Sequence, residues 1–183
     1  QVEGLAERWG RSIFHCPYCD GYELGQGRIG VIGSGSRSLH QAELLTEWGQ
    51  VTFLPNGALE FDSEEQRSLE ERGVIIERTP IARIEAEADL RLTDGRLLSF
   101  SGLFTATMVT PRSVLPAQIG CEIEETPMGI IIWTDEAKES TVPGVYACGD
   151  LAHVPHSVSF AVADGAMAGM QLHRSLIWEK SDD

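Results

Sequence analysis

Two cysteines separated by two residues and followed at once by a carboxylate carry the clearest chemistry in this chain: Cys16, Cys19 and Asp20. Thiol–disulfide exchange needs one sulfur that attacks, a second that resolves the mixed disulfide, and a nearby acid or base for the proton. Pro17 suits the first position of a helix, which would leave Cys16 at the helix N-terminus, where the dipole favours thiolate over thiol. The spacing therefore predicts a redox-active dithiol.

Two other interpretations of the cysteine pair stay open on spacing alone. Half of a zinc site would need two further nitrogen or sulfur ligands, but Cys121 and Cys148 are far apart and the five histidines show no zinc-finger spacing. The pair could also be two unreactive buried cysteines. A redox pair is favoured if another part of the chain supplies electrons, and no metal site is predicted.

Composition narrows the class of protein. The chain has 183 residues, 42% of them hydrophobic, and a formal net charge of −14. It is long enough to bury a core, and its charge disfavours nucleic acid as a partner, because phosphates would be repelled. No apolar run is long enough to span a bilayer, so no membrane association is expected. Four cysteines do not make a disulfide scaffold, so a reducing cytoplasm is expected.

The first half of the chain has the pattern of a doubly wound fold. Apolar strands are predicted at 28–32, 51–54 and 74–77, with a helix in each interval, the second opened by a capping box at Ser63 and Gln66. This β-α-β-α-β order is typical of half of a nucleotide-binding domain. Four short strands follow within 81–106: three form a predicted meander with a hairpin turn at Asp94-Gly95, and the fourth returns to the main sheet.

The second half is predicted to be rich in loops. It contains apolar strands at 130–133 and 145–147 and one long helix from about 158 to 179. Ala161, Gly165 and Gly169 form a stripe of small residues on that helix. Such a stripe allows close approach either to a cofactor or to neighbouring backbone, and both interpretations stay open.

A glycine-rich turn follows the first of the three strands. Gly33, Gly35, Ser36 and Ser38 stand between a strand and a helix, where a dinucleotide-binding fingerprint must lie, although Ser38 replaces the usual third glycine or alanine. The second strand ends in residues 54–57, Leu-Pro-Asn-Gly, with neither the acid that binds the ribose of NAD nor a basic cluster for NADP. Binding of NADPH is therefore left uncertain, and the fold could equally serve as a structural support.

Taken together, these motifs resemble a known family. The order is CPYCDGYE at 16–23, the GSGSRS turn at 33–38, the meander, TVPGVYACGD at 141–150, and the helix with small residues. It resembles the low-molecular-weight thioredoxin reductases, which are FAD-dependent pyridine nucleotide-disulfide oxidoreductases. It is most similar to their thioredoxin reductase-like branch, which includes dithiol oxidases of the gliotoxin and holomycin type.

The resemblance implies an architecture for the whole chain. The expected fold is α/β, with a three-layer Rossmann-like nucleotide-binding domain at 7–106 that carries the CxxC and an inserted three-stranded β-meander. The C-terminal part of a second, FAD-binding domain is expected at 107–183. The family's N-terminal FAD-binding half-domain is not in the sequence, so the chain is expected to start in mid-sequence, with an incomplete FAD site and with weak FAD binding or none.

The resemblance also implies roles for individual residues. Cys16 would exchange with substrate, Cys19 would exchange electrons with the flavin, and Asp20 would be the acid or base. Gly149 and Asp150 would bind FAD. The segment at Ser157 and Val158 would place a helix N-terminus near the flavin, although the family often carries Gln where this chain has Ser157.

Three functions follow as hypotheses. The first is thioredoxin reductase-like thiol–disulfide oxidoreduction, with a small disulfide or a thioredoxin-like protein as partner, and the expected assembly is a homodimer. The second is an FAD-dependent dithiol oxidase that uses oxygen and needs no NADPH. The third is a truncated, non-catalytic module that binds or complements another chain.

Overall fold

The structure is a computed structural model that describes residues 2–178. The chain divides into two compact units, Gln1–Thr107 and Met108–Asp183. In residues 2–178 no helix is both long enough and apolar enough to cross a membrane.

The first unit combines a parallel sheet, helices and a meander. Its elements are β1 (Ile13–Phe14), α1 (Pro17–Asp20), β2 (Arg28–Ile32), α2 (Arg37–Leu45), β3 (Gln50–Leu54), α3 (Ser63–Glu71), β4 (Ile75–Ile76), β5 (Ile81–Glu85), β6 (Asp89–Leu92), β7 (Leu97–Ser99) and β8 (Gly102–Thr105). Five strands pair in parallel in the order β1-β8-β2-β3-β4. Strands β5, β6 and β7 form a separate antiparallel sheet.

Alternation along the strands explains why the first unit has three layers. On β2, Ile29 and Val31 lie in one buried cluster with Leu45 of α2 and Leu69 of α3. The next residue, Ile32, lies in a second buried cluster on the meander side. Successive side chains of a strand point to opposite faces, so the helices cover one face of the sheet and the meander covers the other. The predicted Rossmann-type α/β fold with an inserted meander is confirmed.

Two details of the first unit differ from the prediction. The cap of α3 is Asp62 rather than Ser63: the Asp62 carboxylate accepts the N–H groups of Glu64 and Glu65, and the Glu65 carboxylate accepts the Asp62 N–H. The pattern of a capping box fitted both registers, but a carboxylate is the stronger acceptor. Strand β1 was missed because two residues give no readable periodicity.

The second unit has less regular structure. Its elements are α4 (Leu115–Gln118), β9 (Ile123–Thr126), β10 (Gly129–Ile132) and α5 (Val158–Ile177). Strands β9 and β10 form an antiparallel hairpin, of which only β10 was predicted. Cys121, Ile132 and Ala147 form a small buried cluster.

The predicted strand at 145–147 is wrong. Tyr146 makes one isolated bridge with Glu139, and the neighbouring backbone bonds run from Ser140 N to Val145 O (2.7 Å) and from Ala147 N to Lys138 O (3.0 Å). Within residues 2–178 the backbone of this segment bonds to the local loop at 138–142 instead of forming a strand.

Candidate active site: the dithiol turn and the glycine-rich turn

The two cysteines of the CxxC are joined. Cys16 and Cys19 form a disulfide with a Cα–Cα distance of 5.3 Å. Cys16 is the N-cap of α1 and Pro17 is its first residue, as the sequence predicts. Cys16 is half-buried and Cys19 is exposed. Within residues 2–178 no three His, Cys, Asp or Glu side chains are grouped so that they could hold a metal ion.

Asp20 lies beside the disulfide at the end of α1. Burial raises the pKa of this carboxyl above its ordinary value, the neighbouring Glu23 raises it further, and His15 opposes both effects. Its proton affinity is therefore higher than that of a free aspartate, which suits a group that must both take and return a proton.

The dithiol turn and the glycine-rich turn leave the sheet at the same edge. Phe14 of β1 pairs with Phe104 of β8, which pairs in turn with Val31 of β2, and all three strands are parallel. Their carboxyl ends therefore lie at one edge, where Cys16 follows β1 and Gly33 follows β2. Ligand sites of open parallel sheets are found at this edge.

The glycine-rich turn fits a phosphate only in part. A Cβ at Gly33 would lie 2.6 Å from the Pro55 carbonyl oxygen, so the tight turn requires glycine there. No atom lies within 4 Å of a Cβ at Gly35, which leaves open space for a ligand. The Ser34 N–H, however, already donates to the buried Ser38 hydroxyl at 3.0 Å, and Ser36 makes no side-chain cap. Ser38, at the third position of the fingerprint, therefore accepts an N–H of the turn that would otherwise be free to bind a phosphate.

The region beyond the turn offers little to a nicotinamide nucleotide. Leu54 and Pro55 are buried, and the Asn56 side chain accepts the Ile81 N–H at 2.8 Å. A cavity of about 380 Å³ opens between the N-terminal parts of α2 and α3. Its lining includes Glu43, Asp62, Glu64 and Glu65. A 2′-phosphate there would meet like charge.

The residues expected to bind FAD lie in the second unit. Gly149 begins a short 3-10 turn and has φ +67°, and a Cβ there would lie 3.3 Å from Ala161 Cβ of α5. Asp150 is exposed. Ser157 caps α5 in extended conformation without a side-chain bond, and Val158 is 83% exposed. The first N–H groups of α5 have no partner within the helix, and Asp150 presents an exposed carboxylate, so both could serve a ligand as donors and acceptor.

A buried carboxylate ties these elements together. Asp164 of α5 accepts a bond from Lys138 Nζ at 2.9 Å, and its other oxygen lies 3.3 Å from His153 Nδ1. The pKa of Asp164 is lowered, chiefly by the Lys138 bond, and the Gly149 backbone N–H adds a smaller effect in the same direction. The His153 ring packs on Phe160, with 4.9 Å between the ring centroids. Asp164 therefore lies near the start of the Gly149–Leu151 turn.

Comparison with known proteins supplies the family. Residues 1–165 match the profile described as "Pyridine nucleotide-disulphide oxidoreductase". The chain belongs to this family. The resemblance drawn from the motifs is therefore confirmed, and membership implies the use of a flavin and a nicotinamide nucleotide.

The matched relatives include proteins described as thioredoxin reductases. The chain is 31% identical to "Thioredoxin reductase sirT" of Leptosphaeria maculans, over 92% of this chain and 56% of that protein. An oxidoreductase from Agrobacterium tumefaciens is 46% identical with a TM-score of 0.91, over 98% of this chain and 61% of that one. The structure of HlmI is 30% identical with a TM-score of 0.85, over 97% and 56%. The chain therefore spans about three fifths of the length of these relatives.

Sequence reasoning missed the residues that hold the candidate site in place. Gln41 of α2 bonds to the carbonyl of His15, immediately before the dithiol, and the buried Asp164 of α5 pairs with Lys138 and His153 near the Gly149 turn. On a helical pattern, a glutamine or an aspartate is expected to face solvent. The only available signal was position, because both residues lie next to buried apolar neighbours on their helices.

Proposed function

We propose that the protein is an FAD-dependent thiol–disulfide oxidoreductase that passes two electrons between a substrate and the flavin through Cys16 and Cys19. The observation that carries this proposal is the Cys16–Cys19 disulfide at the N-terminus of α1 with Asp20 beside it. It stands in a chain of the disulphide oxidoreductase family.

Each residue has a step in the exchange. In the reducing direction the Cys16 thiolate attacks one sulfur of a substrate disulfide, which releases one substrate thiolate and leaves a mixed disulfide. The Cys19 thiolate then attacks Cys16 Sγ, which releases the second substrate thiolate and forms the Cys16–Cys19 disulfide. Asp20 takes the protons from the dithiol and returns them to the leaving sulfurs. Two electrons and two protons pass to the substrate.

FAD, when bound, supplies the two-electron partner of the dithiol. We assign its contacts in the second unit to Gly149, Asp150 and the N-terminus of α5 at Ser157 and Val158. Titration of the purified protein with FAD, followed by flavin fluorescence, tests this assignment. Asp150→Ala should weaken binding at least tenfold, while unchanged affinity would contradict the role of Asp150.

A second candidate is a dithiol oxidase that needs no nicotinamide nucleotide. The acidic cavity beside the glycine-rich turn favours this candidate, and so does the Ser34–Ser38 hydrogen bond within the turn. The exchange then runs in reverse: a substrate dithiol reduces the Cys16–Cys19 disulfide, and dioxygen accepts the two electrons and two protons as hydrogen peroxide. The substrate in either direction is a small dithiol or disulfide, or a thioredoxin-like protein.

One experiment separates the two directions. The protein supplied with FAD is given dithiothreitol under air, and in parallel NADPH with a small disulfide. The oxidase consumes oxygen and forms hydrogen peroxide in the first assay and leaves NADPH unchanged in the second, whereas the reductase does the opposite. Cys19→Ser serves as the control and should be inactive in both. Absence of turnover in either assay would contradict the proposed function.

We propose a homodimer in the reducing cytoplasm as the setting. Large apolar side chains of α5 are exposed in the second unit, among them Val162, Met170 and Leu176. Such a surface favours association. Light scattering of the purified protein should give twice the mass of one chain, and a monodisperse monomer would contradict the dimer.

A further inference from the structure

The redox turn cannot hold itself in place. Helix α1 has only four residues, and its N-cap Cys16 makes no side-chain cap bond. Its internal bonds are Cys19 N to Cys16 O (3.1 Å), Asp20 N to Cys16 O (3.3 Å) and Gly21 N to Pro17 O (2.8 Å). A single helical turn is unstable alone, because nucleation costs more than so few bonds return. Its geometry must come from neighbouring elements.

Gln41 of α2 holds the residue immediately before the turn. Its side chain is only 6% exposed, and its Nε2 donates to the carbonyl oxygen of His15 at 2.8 Å. The other amide atom, Oε1, is buried and has no hydrogen-bond partner among residues 2–178. A buried acceptor without a partner is costly, so an apolar residue would suit a purely structural position better. The hydrogen bond to the His15 carbonyl explains why an amide side chain stands at this buried position.

Trp48, just beyond α2, holds the other side of the turn. Its ring meets the Tyr18 ring edge-on, with 5.5 Å between the centroids. A Cβ at Gly21 would lie 3.0 Å from Trp48 Cδ2, so the backbone after Asp20 lies directly against the indole. Trp48 also packs on the buried cluster that contains Leu45. The turn is therefore held on both sides of its cysteines. Gln41 of α2 bonds to the residue before Cys16, and Trp48 lies against the backbone after Asp20.

We propose that Gln41 and Trp48 are positioning residues that form a two-point clamp on the redox turn and set the reduction potential of the Cys16–Cys19 couple. The inference rests on the proposed redox function of this couple. When the backbone on both sides is fixed, the two thiols of the reduced form stay close, and their effective concentration for closing the disulfide is high. Loss of either contact gives the reduced turn more freedom and makes the disulfide easier to reduce.

The test is the equilibrium of the full chain with reduced and oxidised glutathione, read by mass spectrometry after alkylation. Gln41→Leu should lower the effective concentration of the Cys16–Cys19 pair about fivefold, the size expected for one lost hydrogen bond. This raises the potential by about 20 mV, at about 30 mV per tenfold for two electrons. Trp48→Leu should shift it in the same direction. Leu92→Val is the matched control: Leu92 lies in the buried cluster on the meander side of the sheet, whereas Trp48 packs on the cluster on the helix side, so this variant costs stability and should leave the potential unchanged.

Gln41→Glu adds a readout that depends on pH. An ionised glutamate cannot donate to the His15 carbonyl, whereas a protonated one can donate its O–H. The potential of this variant should therefore differ from that of the wild type at high pH, where the carboxyl is ionised, and approach it as pH falls, because burial raises the pKa of a carboxyl above its ordinary value.

The outcomes separate the two proposals. The clamp would be overturned by any of three results. The first is that Gln41→Leu and Trp48→Leu have the wild-type potential, and the second is that Leu92→Val shifts the potential as much as they do. The third is that the difference between Gln41→Glu and wild type does not change with pH. If wild-type Cys16–Cys19 does not exchange with glutathione at all, the proposed function fails instead. The pH series on Gln41→Glu also decides the question if Gln41→Leu does not fold.

Discussion

The division of labour between the two sulfurs is not decided by exposure. Cys19 is exposed and Cys16 half-buried, whereas the position of Cys16 as N-cap of α1 favours its thiolate. If Cys16 is the attacking thiol, Cys19→Ser should form a stable mixed disulfide with a small disulfide faster than Cys16→Ser does. Mass spectrometry of the adducts measures both rates. Both variants are made with Cys148→Ser, because Cys148 is an exposed free thiol; a faster adduct at Cys19 would reverse the assigned roles.

Asp20 should act as a base above its own pKa. That pKa is raised, first by burial and then by Glu23, so the carboxylate forms at a higher pH than usual. The rate advantage of wild type over Asp20→Asn in the reaction of the reduced dithiol with a small disulfide should be about 100-fold above this pKa. This rate advantage should disappear as the pH falls below the pKa of Asp20. Stopped-flow kinetics at a series of pH values measure the rates.

Glu23→Gln is the matched control for Asp20. It removes the charge that helps to raise the pKa of Asp20 but leaves the carboxylate itself. The rate advantage of Glu23→Gln over Asp20→Asn should be as large as that of wild type. It should disappear at a lower pH than the wild-type advantage does. An equal rate for Asp20→Asn and wild type at every pH would contradict the role of Asp20.

At the scale of elements, the sequence predicted what depends on periodicity. Strands β2 and β3 and the meander followed from apolar runs and turn residues. What depends on pairing with distant residues could not be predicted in the same way. The two residues of β1 are a strand only because Ile13 pairs with Leu103, and the buried Gln41 finds its hydrogen-bond acceptor at His15, 26 residues earlier in the chain. The dithiol was therefore predictable from spacing, but its support was not.

Substitution by alanine should have opposite effects at two glycines: Gly165, in the small-residue stripe of α5, and Gly149, which precedes α5 and lies against Ala161 of the stripe. No atom lies within 4 Å of a Cβ at Gly165, whereas Gly149 has φ +67° and contacts Ala161. Gly165→Ala should raise the free energy of unfolding by about 0.5–1 kcal/mol, because alanine loses less entropy within a helix. Gly149→Ala should lower it by at least about 1 kcal/mol. Urea denaturation followed by circular dichroism measures both, and a destabilised Gly165→Ala would show that the stripe lies against something.

Asp164 should couple the Gly149 turn to α5. Asp164→Asn loses the charge that holds Lys138 at 2.9 Å and that interacts with His153 and with the Gly149 backbone N–H. FAD affinity measured by fluorescence titration should fall about tenfold, because Gly149 and Asp150 lose their fixed position. His173→Gln, an exposed substitution on the same helix, should leave affinity unchanged. Equal affinities for both variants would show that Asp164 does not position the turn.

Across the whole molecule, the proposed chemistry is divided between two units. The dithiol and the glycine-rich turn belong to the first unit, and Gly149 and Asp150 belong to the second. The sequence motifs named both sets of residues, because each set lies in one continuous stretch. The acidic cavity could not be predicted in this way, since Glu43 and Glu65 come together only when α2 packs beside α3.

The whole chain carries a net charge of −14, so its response to acid combines two opposing effects. Protonation relieves general repulsion, but it also removes specific ion pairs. Arg96 lowers the pKa of Glu77 to about 2, and Arg91 and Arg83 lower that of Glu85 to about 2. A carboxyl whose pKa is lower in the folded state stabilises the fold above its unfolded pKa, and this stabilisation is lost as pH falls toward the folded value.

The ion pairs of Glu77 and Glu85 should therefore contribute to the acid response of the first unit. The free energy of unfolding should fall between about pH 5 and pH 2, and the slope should be smaller in Glu77→Gln, which has no proton to take up. The variant should be less stable than wild type at pH 7 and converge with it near pH 2.

Glu71→Gln, an exposed substitution on α3, is the control and should keep the wild-type slope. Urea denaturation at a series of pH values measures these slopes. If Glu77→Gln and wild type have parallel profiles, the Glu77–Arg96 pair, with 2.7 Å between its nearest charged atoms, does not control the response. Relief of the net negative charge would then outweigh it.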